Sequence, residues 1–225
     1  MSAATASPWH RGERELQQSV GVAERMEVFG RQVIRDFMPE QHRAFYRPLP
    51  FLVIAAVDAS GDPWATLVEA RSGLAQSADA RHLQINALPG RGDPAGDALM
   101  PGDGIGVLGI ELQTRRRNRV NGRVVARDDR QLTLQVEHAF GNCPQYIQAR
   151  AFRFSGDPAE PFVGRTEVLV KLDAEANAMI GAADTFFVAS YVDPEGDAGR
   201  RQVDASHRGG KAGFVRIDGD VLTIP

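Results

Sequence analysis

The spacing of apolar side chains divides the chain into a helical front section and a strand-rich remainder. Apolar residues recur at helical spacing between positions 13 and 35, which predicts one or two amphipathic helices. Residues 41–45 extend this by one turn before Pro48 and Pro50 end it. From Phe51 the spacing becomes that of short strands. We therefore expect residues 1–50 to form a helical cover over a sheet.

The middle of the chain predicts an antiparallel barrel. Residues 51–57 and 64–68 flank a Gly- and Pro-bearing turn and predict a β-hairpin. Further strands are predicted at 82–87, 104–112, 118–127 and 131–137. Because no long helix separates these short strands, they favour a small antiparallel barrel.

The segment after the barrel strands is predicted to be partly helical. Asn142 is expected to cap a helix that begins at Pro144. Residues 155–163 carry Pro and Gly and are typical of a linker, and residues 168–180 have a helical pattern.

An internal repeat suggests a second, shorter copy of the barrel. At a shift of 135 positions, six identities pair residues of the first hairpin with residues near the C-terminus: Phe51, Val53, Val57, Asp58, Gly61 and Asp62 with Phe186, Val188, Val192, Asp193, Gly196 and Asp197. After an insertion, residues 83–85 pair with 222–224, and counterparts of residues 86–137 are absent. This predicts a helical cover at 1–50, a first copy at 51–150, a linker and helix at 151–183, and an incomplete second copy at 184–225. Either the chain is a truncated form of a longer protein, or another subunit completes the open sheet.

Composition narrows the classes of function. The net charge of −3, from 26 basic and 29 acidic residues, provides no global attraction to nucleic acid or anionic lipid. The single cysteine, Cys143, excludes an internal disulfide and a cysteine metal cluster, which suits the reducing cytoplasm. No segment has the length of a membrane span, and the N-terminus lacks the features of a signal peptide. We expect a soluble cytoplasmic protein without a metal site.

One polar, glycine-rich stretch, residues 204–214, has the composition of an anion site. It combines a hydroxyl, an imidazole, two cations and several glycines. Backbone N–H groups and basic side chains of such a loop can converge on a phosphate. The alternative is a solvated hairpin loop.

Four stretches, residues 51–66, 114–123, 141–148 and 206–211, together resemble the pyridoxamine 5′-phosphate oxidase-related family of FMN-binding split barrels. The resemblance is strongest to a subgroup with two split-barrel copies in one chain. It implies a mainly β fold with flanking helices (α+β): an antiparallel split β-barrel followed by a partial second copy. It also implies FMN at an interface between two barrels. In the ordinary family the two barrels belong to two subunits, so a homodimer is expected; in the two-copy subgroup the two copies could form the same interface within one chain.

The resemblance implies a set of candidate cofactor contacts. Ser206, Arg208 and Lys211, with Gly209, would hold the flavin phosphate, and His207 would lie near the flavin edge or pack in the core. Arg117, Arg119 or Asn121 would reach the flavin or the barrel interface from alternate positions of one strand. In the first copy, Thr66 is a further candidate contact, and Trp64 would stack on the flavin or cover the barrel mouth. No catalytic residue is assigned.

Two functions follow from these residues. The first is a flavin-dependent oxidoreductase on an unidentified small substrate, with electrons from a reduced pyridine nucleotide or a partner reductase. The second is a non-catalytic flavin- or ligand-binding module, or a degenerate barrel that needs a partner subunit. Pyridoxamine-phosphate oxidase activity itself is not expected, because residues 88–93 supply one cation where true oxidases have a Ser-Arg-Lys phosphate motif.

Three other motifs have simpler explanations. Residues 104–109 match a dinucleotide-binding glycine pattern, but a strand and an Arg-rich turn follow where a helix should begin. The arginine cluster of residues 115–123 lacks interleaved aromatic residues, so nucleic-acid binding is not expected. Cys143 follows His138 by five positions, and we favour a structural role over a nucleophilic one.

Overall fold

The fold is mainly β, with helices at its periphery. A computed structural model describes residues 7–160, 167–193 and 201–225. The helices are α1 (Arg11–Ser19), α2 (Ala23–Val33), α3 (Glu40–Tyr46), α4 (Pro94–Asp97) and α5 (Ala174–Ala182). The strands are β1 (Phe51–Val57), β2 (Pro63–Glu69), β3 (Ala75–Gln76), β4 (His82–Ile85), β5 (Gly104–Glu111), β6 (Arg116–Arg127), β7 (Leu132–Asn142), β8 (Thr185–Val192), β9 (Gln202–Gly209), β10 (Arg216–Asp218) and β11 (Val221–Thr223).

The central element is a seven-stranded antiparallel sheet in the order β2-β1-β5-β6-β7-β4-β3. Register shifts between β6 and β7, at Asn121/Gly122 and Val124/Ala126, mark β-bulges. Such bulges increase strand twist and bend the sheet. The curled antiparallel half-barrel and its few flanking helices confirm the predicted fold class.

Each face of this sheet supports a separate apolar core. On the inner face, Ile54, Val107 and Val120 are fully buried in a large cluster that also holds Phe45 and Tyr46 of α3. The outer face carries a second cluster. Its sheet residues, Val53, Ala55, Leu108 and Ile110, pack against Val203 and Ala205 of β9 and against Ile147. The hairpin β8–β9 therefore lies on the outer face of the sheet.

Glycines of β5 make this double packing possible. A Cβ atom added at Gly106 would lie 2.8 Å from the backbone nitrogen of Ala205, and one at Gly104 would lie 2.4 Å from the carbonyl oxygen of Arg201. A Cβ at Gly109 would instead meet Phe45 and Tyr46 of α3, both at 2.9 Å, and Leu49 just after that helix at 2.7 Å. The glycine pattern of residues 104–109 thus belongs to a strand that is packed closely on both faces. A strand was expected here, because no helix follows the pattern as a dinucleotide site would require.

The repeated sequence recurs as hairpins. In both halves the first repeated segment is the first strand of a hairpin, β1–β2 and β8–β9. Residues 83–85 likewise lie in the second strand of β3–β4, and residues 222–223 lie in the second strand of β10–β11. Among the described residues, however, β8–β11 form two separate two-stranded sheets. The two-copy organisation and the domain boundaries remain predictions, and Gly196 and Asp197 of the repeat lie outside the described residues.

The prediction that residues 204–214 form a loop is wrong for their first half. Strand β9 continues to Gly209 and pairs with β8 over its whole length. Its side chains alternate, because Ala205 and His207 are buried whereas Arg208 is exposed. Cross-strand pairing and burial on the sheet overrode the polar composition of the segment.

Two helix predictions also need correction. Asn142 ends β7 and caps no helix; residues after Pro144 form a turn, with Tyr146 in the left-handed region at φ 67°. The predicted helix at 168–180 begins only at Ala174, where the Asp173 carboxylate accepts the backbone N–H of Ala176. The N-cap, rather than the preceding apolar residues, sets the start of α5.

The remaining segments are close to expectation. The front section contains two helices and a third short one, as predicted. The short elements α4 and β3 were not predicted. Strand β7 extends five residues beyond its predicted end at 137, because β6 pairs with it as far as Asn142. Residues 155–160 of the predicted linker have no helix or strand, and residues 161–163 lie outside the described residues.

Candidate functional site

Side chains of β6 and β9 meet on the outer face of the sheet. Arg117, Arg119 and Asn121 occupy alternate positions of β6 and therefore point to the same face. Arg117 contacts His207 of β9, while Arg119 and Asn121 contact Asp204 of the same strand. The structure thus brings all three candidates of this strand, Arg117, Arg119 and Asn121, to the predicted stretch.

The Asp204 carboxylate is the acceptor for three donors. Arg119 Nη1 donates to Oδ2 at 2.7 Å, Asn121 Nδ2 donates to Oδ1 at 2.9 Å, and Ser206 Oγ donates to Oδ2 at 3.1 Å. The Arg119 and Asp204 side chains are 15% and 27% exposed, so this ion pair is partly desolvated. The hydroxyl of Ser206, predicted to bind a phosphate, is engaged within the chain.

His207 is buried beside this ion pair and is held as a neutral ring. Arg117 Nη1 lies 3.0 Å from His207 Nδ1, and the Phe187 ring packs at a centroid distance of 5.8 Å. Since a guanidinium only donates, Nδ1 must accept this hydrogen bond. Burial, followed by the charges of Arg117 and Arg208, lowers the pKa of His207 to about 4.

Two guanidinium groups at this site lack an acidic partner among the described residues. Arg117 donates from Nη2 to the carbonyl of Cys143 at 2.6 Å, and Arg208 donates to the carbonyl of His207 at 3.1 Å. Burial, with the charges of Arg119 and Arg208, lowers the pKa of Arg117. The end of the site at Arg117 and Arg208 therefore carries uncompensated positive charge, which favours an anion.

A cavity of about 600 Å³ adjoins this cluster. Its walls come from β6, β7, β8, β9 and the front helices, and its aromatic lining consists of Trp9, Phe29, Phe140 and Tyr191. The volume is in the range of about 300–1,000 Å³ that is typical of small-molecule sites. Helices α1 and α2 therefore cover a concave site, whereas α3 packs in the inner core.

Three buried polar atoms on residues of the cavity wall have no hydrogen-bond partner. They are Arg119 Nε, Asn121 Oδ1 and Asn142 Nδ2. Buried polar groups are normally paired, so a small side-chain shift that turns these atoms toward the cavity would let a ligand or water satisfy them. Two donors and one acceptor match a flat ring that carries carbonyl oxygens and an N–H group. A flavin-type ring has these groups, and the residues present fit it.

Comparisons with known proteins give a limited match. No protein-family model and no curated protein matches the chain. Among solved structures, a candidate pyridoxamine 5′-phosphate oxidase from Lactobacillus delbrueckii is 18% identical, with 47% of this chain and 95% of that chain covered and a TM-score of 0.37. HupZ of Group A Streptococcus is 12% identical, with 51% and 99% covered and a TM-score of 0.38. An F420 reductase is 13% identical, with 47% and 97% covered and a TM-score of 0.29. These values fix neither a cofactor nor an activity for this chain.

The predicted contacts of the first hairpin lie elsewhere. Trp64 and Thr66 pair with Ala56 and Ile54 of β1, whose side chains face the inner core. They are therefore on the opposite face of the sheet from Arg117. Trp64 Nε1 donates to the Asp58 carboxylate at 2.8 Å, and the Thr66 hydroxyl donates to the Asp93 carboxylate.

The other predicted phosphate contacts lie at the end of β9. Gly209 is paired with Thr185, and the N–H of Gly210 donates to the carbonyl of Asp184. These backbone groups are engaged in the fold, so no N–H nest forms there. Lys211 is exposed in the turn that follows.

Several residues of the cavity wall were not predicted from the sequence. Trp9 and Phe140 carry no local signal, because only the folded chain brings the N-terminus against β7. Asn142 was interpreted as a helix cap. The alternation of polar side chains at positions 117, 119 and 121 of β6 was the signal that located Arg119 and Asn121.

The arginine cluster of residues 115–123 is largely engaged within the chain. Arg116 lies over the Phe45 ring at 5.2 Å, and Arg123 pairs with Glu137 at 3.1 Å. Cys143 is exposed and, like His138, lines the cavity. In the described part of the chain no group of three potential ligand side chains could hold a metal ion. Nor do the described helices include one long and apolar enough to cross a membrane.

Proposed function

We propose that the protein binds a flavin-type cofactor, FMN in the first instance, in the cavity beside β6 and β9. The observation that carries this proposal is the set of orphaned polar atoms of Arg119, Asn121 and Asn142 on one cavity wall. The resemblance of residues 114–123 and 141–148 to flavin-binding split barrels supports it, because these stretches supply all three side chains.

The charges define an orientation for the cofactor. The ring would enter the cavity, where aromatic side chains and the three polar atoms surround it. The phosphate would face Arg117 and Arg208, whose guanidinium groups lack acidic partners among the described residues. Arginine binds phosphate by forked, charge-assisted hydrogen bonds. In this arrangement Arg208 keeps the role expected from the sequence, while Ser206 does not.

The class of reaction is a flavin-dependent oxidation or reduction of a small substrate. A bound flavin would supply the electron and hydride chemistry, and the protein would bind, orient and exclude water. The part of the cavity not filled by the ring is the place for the substrate.

A non-catalytic flavin-binding module is the second candidate. It is favoured by His207, whose pKa of about 4 makes it a poor proton carrier near neutral pH. Cofactor reduction by NADH or NADPH distinguishes the two functions, because the module would bind flavin without being reduced.

The primary test is the visible absorption spectrum of the purified protein, before and after incubation with FMN. We expect a bound flavin spectrum in the wild type and its loss in Arg208→Ala. Lys211→Ala, which removes an exposed neighbouring cation, is the matched control and should retain flavin. A wild type that neither contains nor takes up flavin would refute the proposal.

The two tryptophans locate the site. Trp9 lines the cavity, whereas Trp64 lies on the other face of the sheet. Each variant with one tryptophan replaced reports on the other: Trp64→Phe leaves Trp9, and Trp9→Phe leaves Trp64. FMN should therefore quench the fluorescence of Trp64→Phe more strongly than that of Trp9→Phe. Equal quenching, or stronger quenching of Trp64, would place the flavin elsewhere.

A further inference from the structure

The Asp204 carboxylate occupies the position that an anionic ligand would need. Its donors Arg119, Asn121 and Ser206 are a guanidinium, an amide and a hydroxyl, which are the groups that commonly bind phosphate. All three converge on the chain's own anion. Asp204, Arg119 and Asn121 also line the cavity.

The charges at this end of the cavity cancel. Arg119 Nη1 and Asp204 Oδ2 are 2.7 Å apart and form an ion pair. A carboxylate has about four lone-pair positions, of which three are filled by these donors. The pair therefore attracts no second anion, although the orphaned Arg119 Nε and Asn121 Oδ1 can still bind an uncharged group.

The other end of the site differs. Neither Arg117 nor Arg208 forms an ion pair with an acid among the described residues; each donates to a backbone carbonyl instead. The positive charges of Arg117, Arg208 and Arg119 also act on His207. The cavity wall thus carries the neutralised pair, and the cationic groups lie beside the cavity, where Arg117 contacts His207 of β9.

We propose that Asp204 is a specificity-determining residue: its carboxylate fills the anion position made by Arg119, Asn121 and Ser206, so that this end of the cavity accepts an uncharged ring and rejects phosphate. The orientation of the cofactor, with its phosphate at Arg117 and Arg208, rests on the proposed function. The rejection of anions by Asp204 does not.

The size of the effect follows from Coulomb's law. The interaction of two unit charges about 4 Å apart is several times stronger at the effective dielectric of a protein surface than in water. Removing the carboxylate charge should therefore tighten phosphate binding by about tenfold or more.

The test measures the binding of inorganic phosphate by titration calorimetry at fixed pH and ionic strength. Both proteins carry Arg208→Ala, so that the cationic group proposed to face the cofactor phosphate does not contribute, and Asp204→Asn is compared with its parent. We expect at least about tenfold tighter binding in Asp204→Asn, and its loss when Arg119→Gln is added. Asp218→Asn, which removes an exposed carboxylate of β10, is the matched control and should bind phosphate as the parent does. Equal phosphate affinity in Asp204→Asn and its parent would overturn the proposal.

Stability provides a second readout, because Asp204→Asn leaves Arg119 half-buried without its partner. An anion that replaces the lost carboxylate stabilises the folded state by mass action. Phosphate should therefore raise the melting temperature of the variant more than that of the wild type, even if the variant folds poorly. No selective rise would contradict the role of Asp204. Since the probe is phosphate rather than flavin, a failure of the flavin proposal is seen separately in the absorption spectrum.

Discussion

The close packing of β9 on Gly106 predicts a large effect of the smallest substitution, Gly106→Ala. The added Cβ would lie 2.8 Å from both the Ala205 nitrogen and the Asp204 Cα, and 2.9 Å from the Asp204 carbonyl carbon. All three atoms belong to backbone that is paired with β8. Because a backbone cannot rotate away as a side chain can, β9 must move away from the sheet.

The expected cost follows from the overlap. Overpacking of a well-packed interior costs about 1–3 kcal/mol. The lower entropy of an unfolded chain with alanine offsets about 0.4–1 kcal/mol of this. We expect a net loss of about 1–2 kcal/mol, which lowers the melting temperature of a chain of this size by roughly 2–8 °C. The displacement also lengthens the bonds from Arg119 and Asn121 to Asp204, which are 2.7 and 2.9 Å. Flavin binding should weaken together with stability.

The assay is thermal and denaturant unfolding, combined with an FMN titration. Gly181→Ala is the control, because Gly181 lies in α5 and a Cβ there has no atom within 4 Å. That variant should be as stable as the wild type or slightly more so. If Gly106→Ala proves as stable as Gly181→Ala, then β9 does not pack on β5 as described. The side chains of β6 and β9 would then not form the site together.

Two further predictions concern His207 and Thr66. The pKa of His207 is lowered to about 4 in the folded chain, from an ordinary value near 6.5, so the unfolded chain binds the proton first as the pH falls. The free energy of unfolding of the wild type should fall by about 2–3 kcal/mol between about pH 6.5 and pH 4. In denaturant unfolding, His207→Gln should show a flatter dependence on pH over that interval. Parallel pH dependences of the two proteins would contradict the buried neutral ring. Thr66→Val removes the hydrogen bond to Asp93 and should cost about 1 kcal/mol of stability while leaving FMN affinity unchanged, because Thr66 faces the inner core. A loss of FMN affinity in Thr66→Val would restore Thr66 as a cofactor contact.

Local sequence determined the elements whose signals are short-range. The apolar run of β1, the turn after it and the alternation of β6 were predictable because a strand repeats every two residues. The same period placed Arg117, Arg119 and Asn121 on one face before any partner was known. The class of fold followed from the number of such strands and their spacing.

Tertiary structure alone decided how these faces are used. The polar stretch 204–209 became a strand because β8 pairs with it and the glycines of β5 let its backbone approach. That docking turned Asp204 into the acceptor for Arg119 and Asn121, which no spacing along the chain indicates. The same docking forms one wall of the cavity, whose other walls include β7 and Trp9 near the N-terminus. Contacts between residues more than 80 positions apart depend on chain packing, and periodicity along the sequence carries no information about them.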